Sequence, residues 1–269
     1  MSWSARWYFI RLALFIEYDG TSYHGFQIQP KDVTIQEELE KALNKIVNKK
    51  IRLDFAGRTD SGVHALSQVI AFNVDENDYI STYVNGMNHY LPDDISVKCC
   101  HKVGDDFDPR RDAYSRHYRY TLLLDDSRSP LSRMYSYRIT KNVDLSLMRS
   151  ASKIMLGTHD FKFFSTASKG EYLTTIRTIF SIDINLNDKI IDIDIIGNAF
   201  LTSQVRRMVA VLLKIGQGKL FESDLNNMLN LNTERNYSVA TLPPQGLCLV
   251  EVNYEDFSHE VGEKYGCKN

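Results

Sequence analysis

The chain has 269 residues, a formal net charge of −2 at pH 7, 43% hydrophobic residues and 25% charged residues. Its length suits one large domain or two of ordinary size, and its composition is that of a soluble globular protein rather than a disordered or fibrous one. No apolar run approaches the length that spans a membrane, and the apolar residues 7–16 contain Arg11 and lack a cleavage site. We therefore expect a cytoplasmic protein without a membrane segment.

Strands and helices alternate in the first half of the chain. One helix start is well marked, because Thr34 and Glu37 form a capping box and apolar residues follow at helical spacing from Ile35. The predicted elements are a strand over 11–18, a turn at 19–20, the helix from residue 35, strands over 51–55 and 68–74, a helix over 82–89 and a strand over 95–101.

The second half follows a similar order without visible sequence repetition. Its predicted elements are a strand over 116–124, a helix over 145–156, a hairpin of 176–185 and 189–196, helices over 202–216 and 224–231, and a strand over 247–254. Several consecutive strands are close enough for antiparallel hairpins, which indicates an α+β chain of two similar halves. We place the boundary within residues 107–112, giving subdomains 1–108 and 109–269.

The four cysteines are Cys99, Cys100, Cys248 and Cys267. They contain no Cys-x-x-Cys and no paired Cys/His spacing, so we predict free thiols and no metal site. Asp60 and His64 have a ligand-like spacing, but no second carboxylate joins them in the same motif.

A net charge of −2 argues against bulk attraction to nucleic acid, so an RNA partner would need local basic patches. Three basic clusters are present: Arg110, Arg111, Arg116, His117 and Arg119; Lys45, Lys49, Lys50 and Arg52; and Arg206, Arg207, Lys214 and Lys219. Each cluster could be a solvated face. Tyrosines at positions 114, 118 and 120 lie among the cations of the first cluster, a combination that suits unstacked bases and phosphates.

The most informative segment is residues 56–65, AGRTDSGVHA, which places Arg58 and Asp60 on a glycine-flanked turn between two predicted strands. Glycine allows positive φ and close approach of a ligand to the backbone. Arg58 would favour the charged form of the Asp60 carboxyl group by direct pairing. Taken alone, the pair could equally be a hairpin salt bridge.

This ten-residue string resembles the signature of the TruA-type tRNA pseudouridine synthases, in which the Asp is catalytic and the Arg is its partner. Further segments resemble elements of that family in the same order along the chain: EYDGTSYHGFQ at 17–27, TIQEELE at 34–40, LPDDI at 91–95, RHYRY at 116–120, GTHDF at 157–161, NAF at 198–200, VRRM at 205–208 and GLCLV at 246–250.

The resemblance implies two ferredoxin-like or RRM-like subdomains with joined antiparallel sheets and a central active-site cleft. It implies Asp60, Arg58 and Tyr118 as catalytic residues. Tyr118, Arg58, Arg206 and Leu247 would bind the substrate: Tyr118 would stack on the flipped uracil, Arg206 would pair with Asp60 or phosphate, and Leu247 would pack on the base.

The resemblance also implies a cofactor-independent isomerase that converts uridine to pseudouridine in the tRNA anticodon stem-loop, at nucleotides 38 to 40, and acts as a homodimer. Many bacterial members have Trp where this chain has Phe26, and Arg-His soon after the NAF segment, where this chain has residues 201–204 of different type. These departures concern the choice of uridine. The alternatives are a noncatalytic RNA-binding module on the same scaffold, a synthase acting on other tRNA or RNA positions, and a metal-dependent phosphodiesterase built from Asp60 and His64.

Overall fold

The computed structural model describes residues 9–75, 80–166, 173–230 and 237–255. The chain forms two units, of which the first contains Met1–Tyr114 and Glu251–Asn269 and the second contains Ser115–Val250. Residues 251–255 thus group with the first unit, whereas the predicted division places them in subdomain 109–269. The division into functional subdomains 1–108 and 109–269 stays a prediction. Cys267 lies outside the described residues.

The first unit is built on a long buried strand, β1. Its elements are β1 (Phe9–Tyr18), α1 (Ile35–Val47), β2 (Asp54–Phe55), β3 (His64–Asp75), α2 (Ile80–Tyr90) and β4 (Ile95–Val103). β1 lies between β3 and β4 and is antiparallel to both, while β2 pairs antiparallel with β3. Because β1 has a neighbour on each side, its side chains are held firmly in the core.

Helix α1 begins where the sequence predicts. The hydroxyl of Thr34 accepts a hydrogen bond from the amide of Glu37 at 3.4 Å, and the helix ends at Asn48, which has a left-handed conformation (φ 51°). Ile35, Leu39 and Leu43 bury one face of the helix, as their spacing requires.

The second unit contains β5 (Ser115–Leu124), β6 (Tyr137–Ile139), α3 (Leu145–Ile154), β7 (Gly157–Asp160), β8 (Ile176–Asn187), β9 (Ile190–Gly197), α4 (Gln204–Gly216) and α5 (Glu222–Asn230), and most of β10 (Leu247–Asn253). Strands β5, β9, β8 and β7 follow one another in an antiparallel sheet. Strand β6 is the exception to the expected antiparallel pattern, since it pairs parallel with β5.

The predicted α+β class is confirmed, and each predicted helix and strand is present with shifted ends. The predicted strand over 51–55 is reduced to Asp54–Phe55, while the next strand begins at His64 instead of residue 68. The helix predicted from residue 202 begins at Gln204, because Ser203 has a left-handed conformation (φ 62°) that a helix cannot include. In the described part of the chain, none of the helices is long and apolar enough to cross a membrane.

Candidate active site

Asp60 lies on a loop that joins β2 to β3. The amide of Ala56 donates a hydrogen bond to the carbonyl of Val69 at 2.9 Å, and the side-chain amide of Gln68 donates to the carbonyl of Gly57 at 2.8 Å. These two bonds close the base of the loop. Asp60 itself is half-buried.

The two glycines that flank the signature loop differ in what they contribute. Gly62 has a positive φ of 76°, in a turn that the amide of Val63 closes on the carbonyl of Asp60 at 3.2 Å. Gly57 does not have a positive φ, and a Cβ added there would meet nothing within 4 Å. Only the second glycine is therefore required by the backbone conformation of this loop.

Arg58 is exposed. Its direct pairing with Asp60 stays a prediction. An exposed ion pair of this kind stabilises a protein by at most about 1 kcal/mol. The guanidinium group of Arg58 faces water and can contact a ligand.

Residues 18–26, which begin with the last residue of β1, form hydrogen bonds with the Asp60 loop. The hydroxyl groups of Tyr18 and Thr59 are 2.8 Å apart, and the amide of Phe26 donates to the carbonyl of Thr59 at 3.1 Å. Further along, the carbonyl of Tyr23 accepts hydrogen bonds from the Gly62 amide and the Ser61 hydroxyl, both at 3.2 Å. Residues 59–62 are therefore fixed on both sides of Asp60.

His64 is part of the same support. Its Nδ1 lies 3.0 Å from the carboxylate of Asp19 and accepts a hydrogen bond from the amide of Gly20 at 3.1 Å. The side chain is buried. Searched over the described residues, no group of three or more His, Cys, Asp or Glu side chains could hold a metal ion.

Tyr118 lies on β5 in the second unit. It is buried, and its ring contacts the ring of Phe200. The two rings pack edge to face, with 5.2 Å between their centroids. Strand alternation places Tyr120 on the same face as Tyr118, and the Tyr120 hydroxyl donates to the carbonyl of Pro243 at 2.8 Å. Burial raises the pKa of Tyr120, so its phenol stays protonated.

Arg206 and Leu247 are both linked to Tyr120 through residues 242–246. The guanidinium Nε of Arg206, on α4, donates to the carbonyl of Leu242 at 2.7 Å. Leu247 is the first residue of β10 and is buried. The preceding residue, Gly246, packs against the Tyr120 ring. The second unit thus brings β5, the start of α4 and residues 242–247 together around Tyr120, whereas Arg58 and Asp60 belong to the first unit.

The first basic cluster is largely engaged within the second unit. Arg116 is buried and donates to the carbonyl of Asn198 at 2.7 Å. His117 lies 2.6 Å from the carboxylate of Asp194, and Arg119 binds the same carboxylate at 2.9 and 3.2 Å. The hydrogen bond to Asp194 raises the pKa of Arg119. These three residues therefore offer less positive charge to RNA than the sequence suggests.

The second basic cluster contains exposed cations beside aromatic rings, and the third contains a partly buried one. The ammonium groups of Lys45 and Lys49 lie 5.0 and 5.5 Å from the ring centroids of Tyr90 and Phe9. The guanidinium of Arg207 lies 5.5 Å from the Phe163 ring, and burial lowers its pKa. Lys45 and Lys49 are exposed, so their charges remain accessible to a phosphate.

A family model described as tRNA pseudouridine synthase matches residues 14–112 and 151–255, which is more than half of the chain. The chain belongs to the tRNA pseudouridine synthase family. It is therefore an isomerase, as its signature loop indicates. The tRNA pseudouridine synthase A of Geobacter sp. (strain M21) is 42% identical over 245 residues, covering 91% of this chain and 99% of that protein. The tRNA pseudouridine synthase A of Thermoanaerobacter sp. (strain X514) is 38% identical over 239 residues, covering 89% of this chain and 97% of that protein.

Among solved structures, this family member resembles a chain in the structure of an H/ACA RNP bound to a substrate RNA containing 2′-deoxyuridine. The TM-score is 0.36 with 10% sequence identity, over 75% of this chain and 44% of that chain. This chain thus spans less than half of that one, and a likeness at this level adds nothing to the family assignment.

Sequence reasoning singled out the candidate site residues and missed those that hold the Asp60 loop. Tyr18, Thr59 and His64 all lie inside the two strings that carry the resemblance, 17–27 and 56–65. Their contacts join residues about forty positions apart, so spacing along the chain gave no signal for them.

Proposed function

We propose that this isomerase converts uridine to pseudouridine in the anticodon stem-loop of tRNA, at nucleotide 38, 39 or 40, with Asp60 as the catalytic residue. The observation that supports the role of Asp60 is its setting. Its neighbours on both sides are fixed by hydrogen bonds from residues 18–26, while the residue itself is only half-buried. A carboxylate held in this way is suited to react with a bound ligand.

The reaction needs one reactive carboxylate. The N1–C1′ bond of uridine breaks, the uracil turns and C5 bonds to C1′. The proton on C5 then leaves and N1 takes up a proton, so that the product has the same atoms as the substrate. There is no net oxidation, and no cofactor is required. Asp60 can act by covalent addition or by abstracting a proton, and both routes remain part of the proposal.

Arg58 is proposed to contact the RNA. Its side chain is exposed and lies two residues from Asp60, so it can occupy the space that the target nucleotide leaves when it is flipped out of its stack. In this proposal Arg58 supports catalysis through productive binding of the nucleotide, and it is not needed as a static partner of Asp60.

Tyr118, Arg206 and Leu247 are proposed to act on the flipped base. An aromatic ring can stack on uracil, and the Tyr118 hydroxyl can take part in moving the C5 proton. Arg206 would pair with phosphate or with Asp60, and Leu247 would cover the base with apolar surface. Phe200 supports the Tyr118 ring from its edge.

The decisive experiment incubates unmodified tRNA transcripts with the protein and maps pseudouridine at nucleotide resolution. Formation at 38, 39 or 40 would support the proposed site, and formation elsewhere would move the substrate to the alternative of other tRNA positions. If the folded protein binds tRNA but forms no pseudouridine, the noncatalytic RNA-binding alternative holds.

Asp60→Asn tests the catalytic residue in the same assay. The replacement is nearly isosteric and removes the charge, so we expect turnover to be lost while tRNA affinity stays within a few-fold. Asp93→Asn is the matched control, because Asp93 is an exposed carboxylate in the same unit. Substantial turnover in Asp60→Asn would falsify the assignment.

A homodimer in the cytoplasm completes the proposal, and it rests on the family resemblance alone. Sedimentation at the concentrations used in the assay tests the dimer. A monomer that retains full activity would remove the idea that each tRNA is bound across two subunits.

A further inference from the structure

Tyr18 stands at the end of β1 with its phenol ring turned into the first unit. The residue is only 3% exposed, and its ring packs against Phe26 with 6.0 Å between the ring centroids. Tyr18 is paired in both directions, opposite Ala65 on β3 and opposite Ile95 on β4. The phenol is therefore carried by a strand that is paired on both sides.

The pairing of β1 with β3 changes register immediately before this residue. The shift lies between Ile16 and Tyr18. A local irregularity of this kind turns the strand and redirects the side chains that follow it. In this chain it occurs directly before Tyr18, whose hydroxyl contacts Thr59 of the signature loop.

The partner of that hydroxyl is Thr59, the residue directly before Asp60. Thr59 is 7% exposed, and its side-chain oxygen is 2.8 Å from the Tyr18 hydroxyl. Its carbonyl oxygen accepts the Phe26 amide at 3.1 Å. Side chain and main chain of Thr59 are thus both held by residues of the segment 18–26, which fixes the peptide plane that leads into Asp60.

We propose that Tyr18 is a positioning residue for the isomerase reaction, which orients the Asp60 carboxylate through its hydroxyl bond to Thr59. This inference rests on the proposed catalytic role of Asp60. The physical basis is that a reacting group displaced by about 1 Å can lose on the order of a hundredfold in rate, even when the displacement originates away from the chemistry. Tyr18 itself does not contact the substrate in this proposal.

The test removes one oxygen atom at a time. In Tyr18→Phe we expect kcat to fall by about tenfold with KM and tRNA affinity unchanged within about twofold, because only the orientation of Asp60 is loosened. Thr59→Val removes the partner hydroxyl at nearly equal volume and should cause the same loss. Thr59→Ser keeps the hydroxyl and should restore most of the rate.

The double variant Tyr18→Phe with Thr59→Val distinguishes a shared bond from two separate effects. Because both changes break one hydrogen bond, the double variant should be no slower than either single variant. Two independent losses that multiply would overturn the inference.

Tyr254→Phe is the matched control for lost stability. Its hydroxyl donates to the carbonyl of Pro109 at 2.6 Å in the same unit, and the residue is buried to a similar degree. We expect a comparable fall in melting temperature with kcat unchanged. An equal fall of kcat in Tyr254→Phe would mean that any weakening of this unit slows the reaction, and would overturn the role of Tyr18.

Asp60→Asn, assayed alongside, separates this inference from the proposed function. If Asp60→Asn remains active, the catalytic assignment fails first. If Asp60→Asn is inactive and folded Tyr18→Phe has the wild-type kcat, only the positioning role fails. Should Tyr18→Phe not fold, the comparison of Thr59→Val with Thr59→Ser decides the question.

Discussion

The Asp60 loop of the first unit and the Tyr120 neighbourhood of the second are held in place by different kinds of contact. The loop is fixed mainly through main-chain groups of residues 18–26 and 59–64. The second region is fixed by long side chains that reach main-chain carbonyls, with Tyr120 bound to Pro243 and Arg206 to Leu242. The first region therefore depends on small residues such as Gly20 that allow two main-chain segments to approach closely. The second depends on large side chains that bridge between segments.

The largest effect is expected where the two main-chain segments of the first region meet. A Cβ at Gly20 would lie 2.0 Å from the carbonyl oxygen of Val63, which is part of the backbone and cannot turn away. We expect Gly20→Ala to lower the free energy of unfolding by about 3 kcal/mol, measured by urea denaturation.

Gly57→Ala is the control for that comparison. Gly57 lies on the Asp60 loop itself, at a position where an added Cβ would meet nothing within 4 Å. Its free energy of unfolding should stay within about 0.5 kcal/mol of the parent. Equal destabilisation by both substitutions would show that the close main-chain approach is not what holds the loop.

Tyr118 tests whether the second region supplies chemistry as well as shape. Tyr118→Phe keeps the ring and loses the hydroxyl, so turnover should fall on the order of a hundredfold with tRNA binding intact. Tyr118→Leu should lose stacking as well. The measurement is single-turnover kinetics together with tRNA affinity.

Two outcomes would limit the role of Tyr118. A wild-type rate in the Phe variant would leave it only a stacking role. Wild-type rates in both variants would place it outside the active site and weaken the assignments of Arg206 and Leu247, which rest on the same resemblance.

A smaller loss is expected at Gly246, where the main chain lies close to the Tyr120 ring. A Cβ at Gly246 would lie 2.8 Å from the Tyr120 ring, whose hydroxyl is anchored to Pro243. Gly246→Ala should lower the free energy of unfolding by about 1.5 kcal/mol. Combined with Tyr120→Leu, which opens space, the two losses should be less than additive in a double-mutant cycle. Strict additivity would mean that the ring is not the obstacle.

The smallest effect is expected from single cations. tRNA affinity should fall with rising salt, because cations that contact phosphate release counterions. Lys50 is exposed, and we expect it to contact phosphate, so Lys50→Ala should reduce the slope of log affinity against log salt by about 0.7 to 0.9. Arg116→Met should leave the slope unchanged, since Arg116 is buried and donates to Asn198. A slope that depends on Arg116 would contradict its structural role.

The sequence predicted those features that depend on neighbours along the chain. The start of α1 at Thr34 follows from one capping residue, and the turn between β8 and β9 occurs at Asp188, which has a positive φ of 53°. Asp60 and Arg58 were found because their decamer is distinctive. Each of these signals is contained within a few consecutive residues.

Features that depend on pairing between distant segments were not predictable. The partner of Arg119 is Asp194, which lies directly opposite in the register of β5 with β9. The early start of β3 at His64 follows from its pairing with β1, and the bond between Tyr18 and Thr59 joins two separate motifs. Such contacts are set by strand register, which local composition does not specify.

The path of the chain gives the first unit a distinctive order of assembly. The Tyr114 amide donates to the carbonyl of Asn253 at 3.0 Å, and Tyr254 reaches Pro109. During synthesis, the whole of residues 115–250 is made before these contacts become possible, so the second unit can fold while the first still lacks part of its structure. The ribosome therefore completes the Asp60-bearing unit after the second unit, although its synthesis begins first.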